Sequence, residues 1–187
     1  MATITAKDVA ELRAKTGLGM MDCKKALVEA DGDVEKAVKI LREKGLATAE
    51  KKAGRIAAEG RVDIMTKNGV TAMVEVNSET DFAAKTDSFL DLVKNLAEVV
   101  ATQNPADVEA LKACTYPNSN LTVTEIMQEK VMSIGENMQI RRFDRFAENT
   151  SVAYVHAGGT HGVLVNLAVE GDIDVTEVGK NVAMQIA

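Results

Sequence analysis

Side chains able to do covalent or metal chemistry are few in this 187-residue chain: two cysteines, Cys23 and Cys114, and two histidines, His156 and His161. A nucleophilic thiol needs a base or a positive neighbour to hold it as thiolate, and no histidine lies in the segment around Cys23. Its spacing to Leu27 puts Cys23 on the apolar side of a helix, so a buried thiol is the better reading. His156 and His161 are five apart across a glycine turn, and no cysteine or carboxylate cluster at familiar spacing completes a metal set around them. They read as hairpin residues. The glycines nearest a lysine, Gly17-Leu18-Gly19 and Gly45, lack the Gly-Lys-Ser/Thr ending that cradles phosphates. No catalytic, cofactor or metal set emerges, and a thiol enzyme acting through Cys23 is the weakest class of function.

Two places carry residues chosen against the needs of a core. Leu18-Gly19-Met20-Met21 puts deformable apolar side chains on a tight interhelical turn, where polar residues are the norm, and it reads as a contact surface. The competing reading folds one of the two methionines under the bundle. Phe82 is an aromatic in a loop between Asp81 and Lys85, spaced by small alanines, and it reads either as a projecting probe or as a staple packed on the following helix.

The elements that position these residues follow from periodicity. Thr5-Ala6-Lys7-Asp8 resembles a capping box ahead of a short helix closed by Thr16-Gly17. A second helix begins near Met20 and presents Cys23, Ala26, Leu27 and Ala30 before Asp31-Gly32. Asp33 caps a third, whose Val34, Ala37, Val38 and Leu41 share a face expected to run to Gly45. Residues 47–60, rich in Ala and Lys with Gly54 among them, read as a helical or flexible connector. From Arg61 the period becomes alternating, and Lys67-Asn68-Gly69 between Val62, Ile64 and Val70, Ala72, Val74, Val76 is the strongest hairpin signal in the chain. A strong helix follows from Phe89 to Ala101, a shorter one from Pro105 to Leu111, a polar loop over Tyr116–Leu121, and a helix from Thr122 stopped by Gly135.

A hairpin and a helix then recur at residues 151–187. Placing Gly162-Val163 on Gly69-Val70 gives an offset of 93, and placing Lys180-Asn181 on Lys94-Asn95 gives 86, so the first copy holds seven extra residues between hairpin and helix. Glu79-Thr80-Asp81-Phe82-Ala83-Ala84-Lys85 lies there, and a loop added to a scaffold is where function is often carried. Chance similarity of two hairpins is the competing reading.

Composition sets the outer bounds. No apolar run approaches the roughly 20 residues needed to cross a bilayer, and Met1-Ala2-Thr3-Ile4-Thr5 lacks a basic head and a signal-peptide core, so a cytoplasmic protein with reduced thiols and no membrane partner is expected. Residues 1–55 carry 12 Lys/Arg against 9 Asp/Glu, while residues 56–187 carry 10 against 19. With no Trp, two Tyr and four Phe, the chain lacks both the basic stripe and the stacking platforms of nucleic-acid binders, so direct RNA or DNA contact is disfavoured. The basic N-terminal part reads as a solvated helical surface or as a patch that steers the module onto an acidic partner.

Taken together, Thr16-Gly17-Leu18-Gly19-Met20-Met21-Asp22-Cys23-Lys24-Lys25-Ala26-Leu27 and Asn77-Ser78-Glu79-Thr80-Asp81-Phe82-Ala83-Ala84-Lys85 resemble the two signatures of the translation elongation factor Ts family. Ile134-Gly135-Glu136-Asn137-Met138-Gln139-Ile140-Arg141-Arg142 and Tyr154-Val155-His156-Ala157-Gly158-Gly159 extend the likeness in the correct order. Ala83 stands where the family usually has valine, and Thr160-His161 where it more often has an arginine and an aliphatic residue. The chain ends at Ala187 inside what reads as a helix, while family members commonly continue with a coiled-coil dimerisation element and a C-terminal helix, so a fragment is expected. Any homodimerisation would use that missing segment.

The resemblance implies an α+β fold: a three-helix bundle like a ubiquitin-associated domain over residues 1–55, then a core of two related subdomains with antiparallel strands over 56–148 and 149–187. It implies no enzyme but a guanine-nucleotide exchange factor without cofactor or metal, which binds the GTPase elongation factor Tu and promotes GDP release. The partner-binding residues it implies are Leu18, Met20, Met21 and Lys24 on the bundle, Thr80, Asp81, Phe82 and Ala83 in the core, and His156. The alternative is a bundle that captures helices or ubiquitin-like partners, with the core as a passive spacer.

Overall fold

The computed structural model describes residues 3–187; Met1 and Ala2, part of the start read as lacking a signal peptide, lie outside the described residues. In chain order the elements begin with helices α1 (Ala6–Thr16), α2 (Met20–Glu29) and α3 (Val34–Lys52), followed by strands β1 (Glu59–Lys67) and β2 (Val70–Ser78). Helices α4 (Asp81–Ala84), α5 (Asp87–Gln103), α6 (Val108–Ala113) and α7 (Val123–Ile134) come next. Strands β3 (Met138–Phe146), β4 (Thr150–His156) and β5 (His161–Leu167) and helix α8 (Thr176–Ile186) complete the chain. This is an α+β protein of helices and antiparallel strands. Its contacts divide into two compact units: residues up to Arg55 with Thr124–Asn137, and Ile56–Val123 with Met138–Ala187.

Local rules shape the first unit. Thr5 accepts from the Asp8 N–H at 3.2 Å while its own N–H donates to the Asp8 carboxylate at 2.8 Å, a reciprocal cap that satisfies two orphan donors of α1. Gly17, at φ 69°, closes the helix with its N–H on the Arg13 carbonyl. The Asp33 carboxylate accepts from the Lys36 N–H at 3.0 Å and starts α3. Val9, Leu12, Leu18, Cys23, Ala26, Leu27, Ala30, Ala37 and Leu41 form the core between the three helices. Each fully buried leucine there contributes about 1.5–3 kcal/mol of transfer free energy.

Two features of this unit depart from the expected layout. Helix α3 does not stop at Gly45 but runs on to Lys52. A glycine inside a helix costs about 1 kcal/mol relative to alanine, which the helix tolerates here; Gly45 is buried, and a Cβ added there would stand 3.6 Å from the Gln128 carbonyl oxygen of α7, in ordinary contact. Residues 124–137, placed with 56–148 by the sequence reading, group instead with the N-terminal helices. The reasons are tertiary. Met132 packs against the bundle core, Lys52 Nζ donates to the Gly135 carbonyl at 2.5 Å, and the Asn137 amide donates to the Arg55 carbonyl at 2.7 Å.

In the second unit, β1 and β2 pair antiparallel with Lys67 opposite Val70, leaving a two-residue Asn68-Gly69 turn with φ of 53° and 78°. Positive φ at both central positions is the type I′ geometry whose twist matches a hairpin. Strand β3, unforeseen from the sequence, pairs antiparallel with β2 and makes it the centre of a three-stranded sheet. Helix α5 packs over β1 and β2. It buries Phe89, Leu92, Val93, Leu96, Val99 and Val100, while Ala72, Val74 and Val76 alternate along β2 and are equally sealed. The second hairpin, β4–β5, pairs from Thr150↔Leu167 to His156↔His161 and carries α8. Gly179 lets α8 approach, because a Cβ there would stand 2.6 Å from Val152 Cγ2. Hairpin followed by packed helix thus occurs twice, with α4 present only in the first instance.

Candidate functional site

In the second unit the α4 turn carries an exposed aromatic ring. Ser78 Oγ donates to the Thr80 carbonyl at 3.0 Å, and Thr80 Oγ1 accepts from the Ala83 N–H at 3.2 Å. Thr86 Oγ1 donates to the Ala83 carbonyl at 2.8 Å, and the Lys85 N–H donates to the Phe82 carbonyl at 3.2 Å. Ala83 and Ala84 are 5% and 4% exposed, whereas Phe82 between Asp81 and these anchors is 79% exposed. The alanines are therefore not loose spacers that free the ring. They are the buried side of the turn, and their burial forces Phe82 outward. Packing of Phe82 as a staple on the following helix is excluded by that exposure. Ala83, expected among the contact residues, presents almost no surface and acts as an anchor instead.

Lys85 Nζ donates to Asp81 Oδ2 at 2.5 Å and lies 6.0 Å from the centroid of the Phe82 ring. That hydrogen bond, with the lysine's positive charge, holds the Asp81 carboxyl below the usual carboxylate range. The turn thus presents an aromatic ring beside a carboxylate that is already partnered.

The first unit carries the other surface. Met20 and Met21 are 54% and 62% exposed, so neither folds under the bundle. Lys24 is exposed one turn along α2, and Val28, 60% exposed, continues the stripe. Val28 escaped the sequence reading, although its i+8 relation to Met20 was the available signal. Leu18 is corrected: at 3% exposure it belongs to the bundle core, where it holds the turn that displays the methionines.

His156 is exposed on the last residue of β4, with Nδ1 and the Tyr154 hydroxyl 2.9 Å apart. His161 is its register partner, with ring centroids 6.2 Å apart. Among the described residues no group of three or more His, Cys, Asp or Glu is placed to hold a metal ion. Cys23 is 0% exposed, which denies substrate any access to the thiol. Burial also pushes the Cys114 thiol up, away from the thiolate form a nucleophile needs.

A residue that sequence reasoning missed joins two parts of this unit. Arg61, in β1, donates from Nε to the Ala84 carbonyl at 3.1 Å. Its side chain also lies against the Gly158-Gly159 turn that follows His156. Nothing in the sequence marks this arginine, since one charge at the start of a strand is ordinary.

Fold and exposed side chains together define a mixed α+β protein that displays Phe82 on one turn and Met20, Met21 and Val28 along one helix. The family model described as Elongation factor TS matches residues 79–187. The chain is 50% identical over 188 residues to Elongation factor Ts of Syntrophotalea carbinolica, an alignment covering 98% of this chain and 62% of that protein. It is 51% identical over 191 residues to Elongation factor Ts of Clostridioides difficile, covering 100% of this chain and 63% of the relative. The chain belongs to the elongation factor Ts family. It spans a little over three fifths of the length of these relatives. Among the described residues no helix is long and apolar enough to cross a membrane.

Proposed function

We propose that this chain is a guanine-nucleotide exchange factor that promotes GDP release from elongation factor Tu during translation elongation in the cytoplasm. It acts by protein binding rather than by bond chemistry. The observation that carries this reading is Phe82, an aromatic side chain with 79% of its surface exposed on a turn anchored by buried alanines. A large exposed ring on a rigid support costs little ordering entropy when a partner buries it.

An exchange factor must bind the nucleotide-free GTPase more tightly than the nucleotide-bound form, because only differential affinity shifts the equilibrium. Phe82 supplies that difference if its ring enters an apolar gap that opens in the partner only when the nucleotide's magnesium site is distorted. Burying such a side chain is worth about 1.5–3 kcal/mol, and each ~1.4 kcal/mol of coupling weakens nucleotide affinity about tenfold. Asp81 and Thr80 work beside it, one offering a carboxylate at the partner's polar groups and the other capping the turn.

Met20, Met21, Lys24 and Val28 on α2 form the docking surface, and His156 adds a polar contact from the second hairpin. The three N-terminal helices are read as a ubiquitin-associated-like bundle, supported by their lengths, tight glycine turns and shared core. The two hairpin-and-helix arrangements are read as related subdomains of the core. Nucleic acid takes no direct part. Release of fluorescent GDP from elongation factor Tu, timed with and without the chain, tests the reading; binding without faster release would leave only a docking module.

A further inference from the structure

Arg61 sits where two separately folded turns of the second unit approach β1. On one side its Nε donates to the carbonyl of Ala84, the last residue of α4, at 3.1 Å. A helix of four residues leaves its terminal carbonyls without intrahelical partners, so this side-chain donor supplies what the helix cannot. On the other side lies the turn over Ala157–Gly159, in which Ala157, Gly158 and Gly159 all have positive φ, at 46°, 66° and 98°. A run of left-handed residues including an alanine is costly and persists only where the surroundings hold it. Gly159 is buried, and a Cβ added there would stand 2.9 Å from Arg61 Cδ, 3.0 Å from its Nη1 and 3.2 Å from the Val62 carbonyl. The arginine therefore fills the space that the missing side chain leaves.

We infer that Arg61 is a positioning residue that locks the Phe82 turn to the His156 turn, so that both present one fixed surface to the partner. This rests on the exchange-factor reading above. The aliphatic part of Arg61 packs against the glycines while the guanidinium caps α4. Loss of either contact frees the backbone behind Phe82 without touching Phe82 itself.

Three variants of the whole 187-residue chain test this: Arg61→Met, which keeps the aliphatic bulk and removes the donors, Arg61→Lys, which keeps a charged donor, and Gly159→Ala, which crowds Arg61 from the far side. With elongation factor Tu loaded with fluorescent GDP, Arg61→Met should lower the maximal release rate roughly threefold to tenfold, the worth of one hydrogen bond. The half-saturating concentration should stay within about twofold of wild type, because docking through α2 is intact. Arg61→Lys should recover part of the rate. A generally unstable variant would instead need more protein to reach an unchanged maximum.

Amide hydrogen exchange on the free chain supplies the second readout. Gly159→Ala should speed exchange at Lys85 and Thr86, whose N–H groups bond Phe82 and Ala83 in the α4 turn. It should do so far less in an Arg61→Met background, as expected of coupled residues. Unchanged protection at Lys85 and Thr86 in Gly159→Ala and in Arg61→Met overturns the clamp, even if release slows. Should the wild-type chain fail to accelerate GDP release, the exchange reading falls while the amide measurements still decide whether Arg61 couples the two turns.

Discussion

Phe82→Ala separates display from support more cleanly than any other change in this chain. The ring is 79% exposed, so its removal takes almost no buried surface from the folded state. Surface substitutions of this kind stay within about 0.5 kcal/mol, which for a chain of this size moves the unfolding midpoint by on the order of 1–2 °C. The partner-bound state is different. If the whole ring is buried there, its loss removes about 1.5–3 kcal/mol from the exchange-competent complex, which is roughly a ten- to hundredfold slower release. The assay is stopped-flow release of fluorescent GDP from elongation factor Tu with the variant at saturating concentration, beside a thermal scan of the free chain. Asp81→Ala should act in the same direction, and if both residues hold one distorted state of the partner the double variant should lose less than the sum. Wild-type release by Phe82→Ala would reduce the α4 turn to an ordinary connection. A large drop in melting temperature would show that the ring supports the fold instead.

Replacing Met20 and Met21 by serine should weaken partner binding in a titration while the circular dichroism of the free chain stays unchanged; an unfolded variant would return both to the core. Leu18→Ala, one turn away but 3% exposed, should cost roughly 2–5 kcal/mol in thermal or denaturant unfolding, and a neutral result would contradict its place in the bundle core. Asp81 should titrate below its ordinary value of 3.8 in carbon-detected NMR, chiefly through the Lys85 hydrogen bond, and Lys85→Met should bring it back up. Because the folded carboxyl is held below its unfolded pKa, its stabilising contribution is present above that unfolded value and is lost as pH falls through the folded one. An Asp81 pKa indifferent to Lys85→Met would remove the pair.

Much of this architecture was legible because it is decided locally. Thr5 with Asp8, Asp33, Asn68-Gly69 and Gly17 each solve a backbone problem within a few residues, so their types announce the element. The apolar side of α5 was plain for the same reason, since Phe89, Leu92, Val93, Leu96, Val99 and Val100 recur at helical spacing on one buried face. What escaped depends on partners distant in sequence. Gly45 marked the end of the expected apolar face, yet it is buried beside α7 and α3 runs on to Lys52. Strand β3 pairs across a bulge in which Glu75 and Val76 face Arg142 and Ile140. The extra residue, Arg141, shifts the apolar positions from Met138 and Ile140 to Phe143 and breaks the alternation that would have revealed the strand. Within the candidate sites, the motifs marked two turns but not the orientation of each side chain on them. Leu18 and Ala83 lie in the same short strings as Met20 and Phe82, and only packing distinguishes an anchor from a displayed group. Arg61 had no signal, because its two contacts lie 23 and nearly 100 residues away in sequence.

The central claim is that the chain acts on a GTPase by loosening its nucleotide. The most direct test mixes elongation factor Tu carrying labelled GDP with excess unlabelled nucleotide and follows release as this chain is added. Release that accelerates with concentration and then saturates is the expected result, the plateau reporting a complex in which the nucleotide is held less tightly. Release at the spontaneous rate, in a sample where binding of the two proteins is demonstrated in parallel, would contradict it.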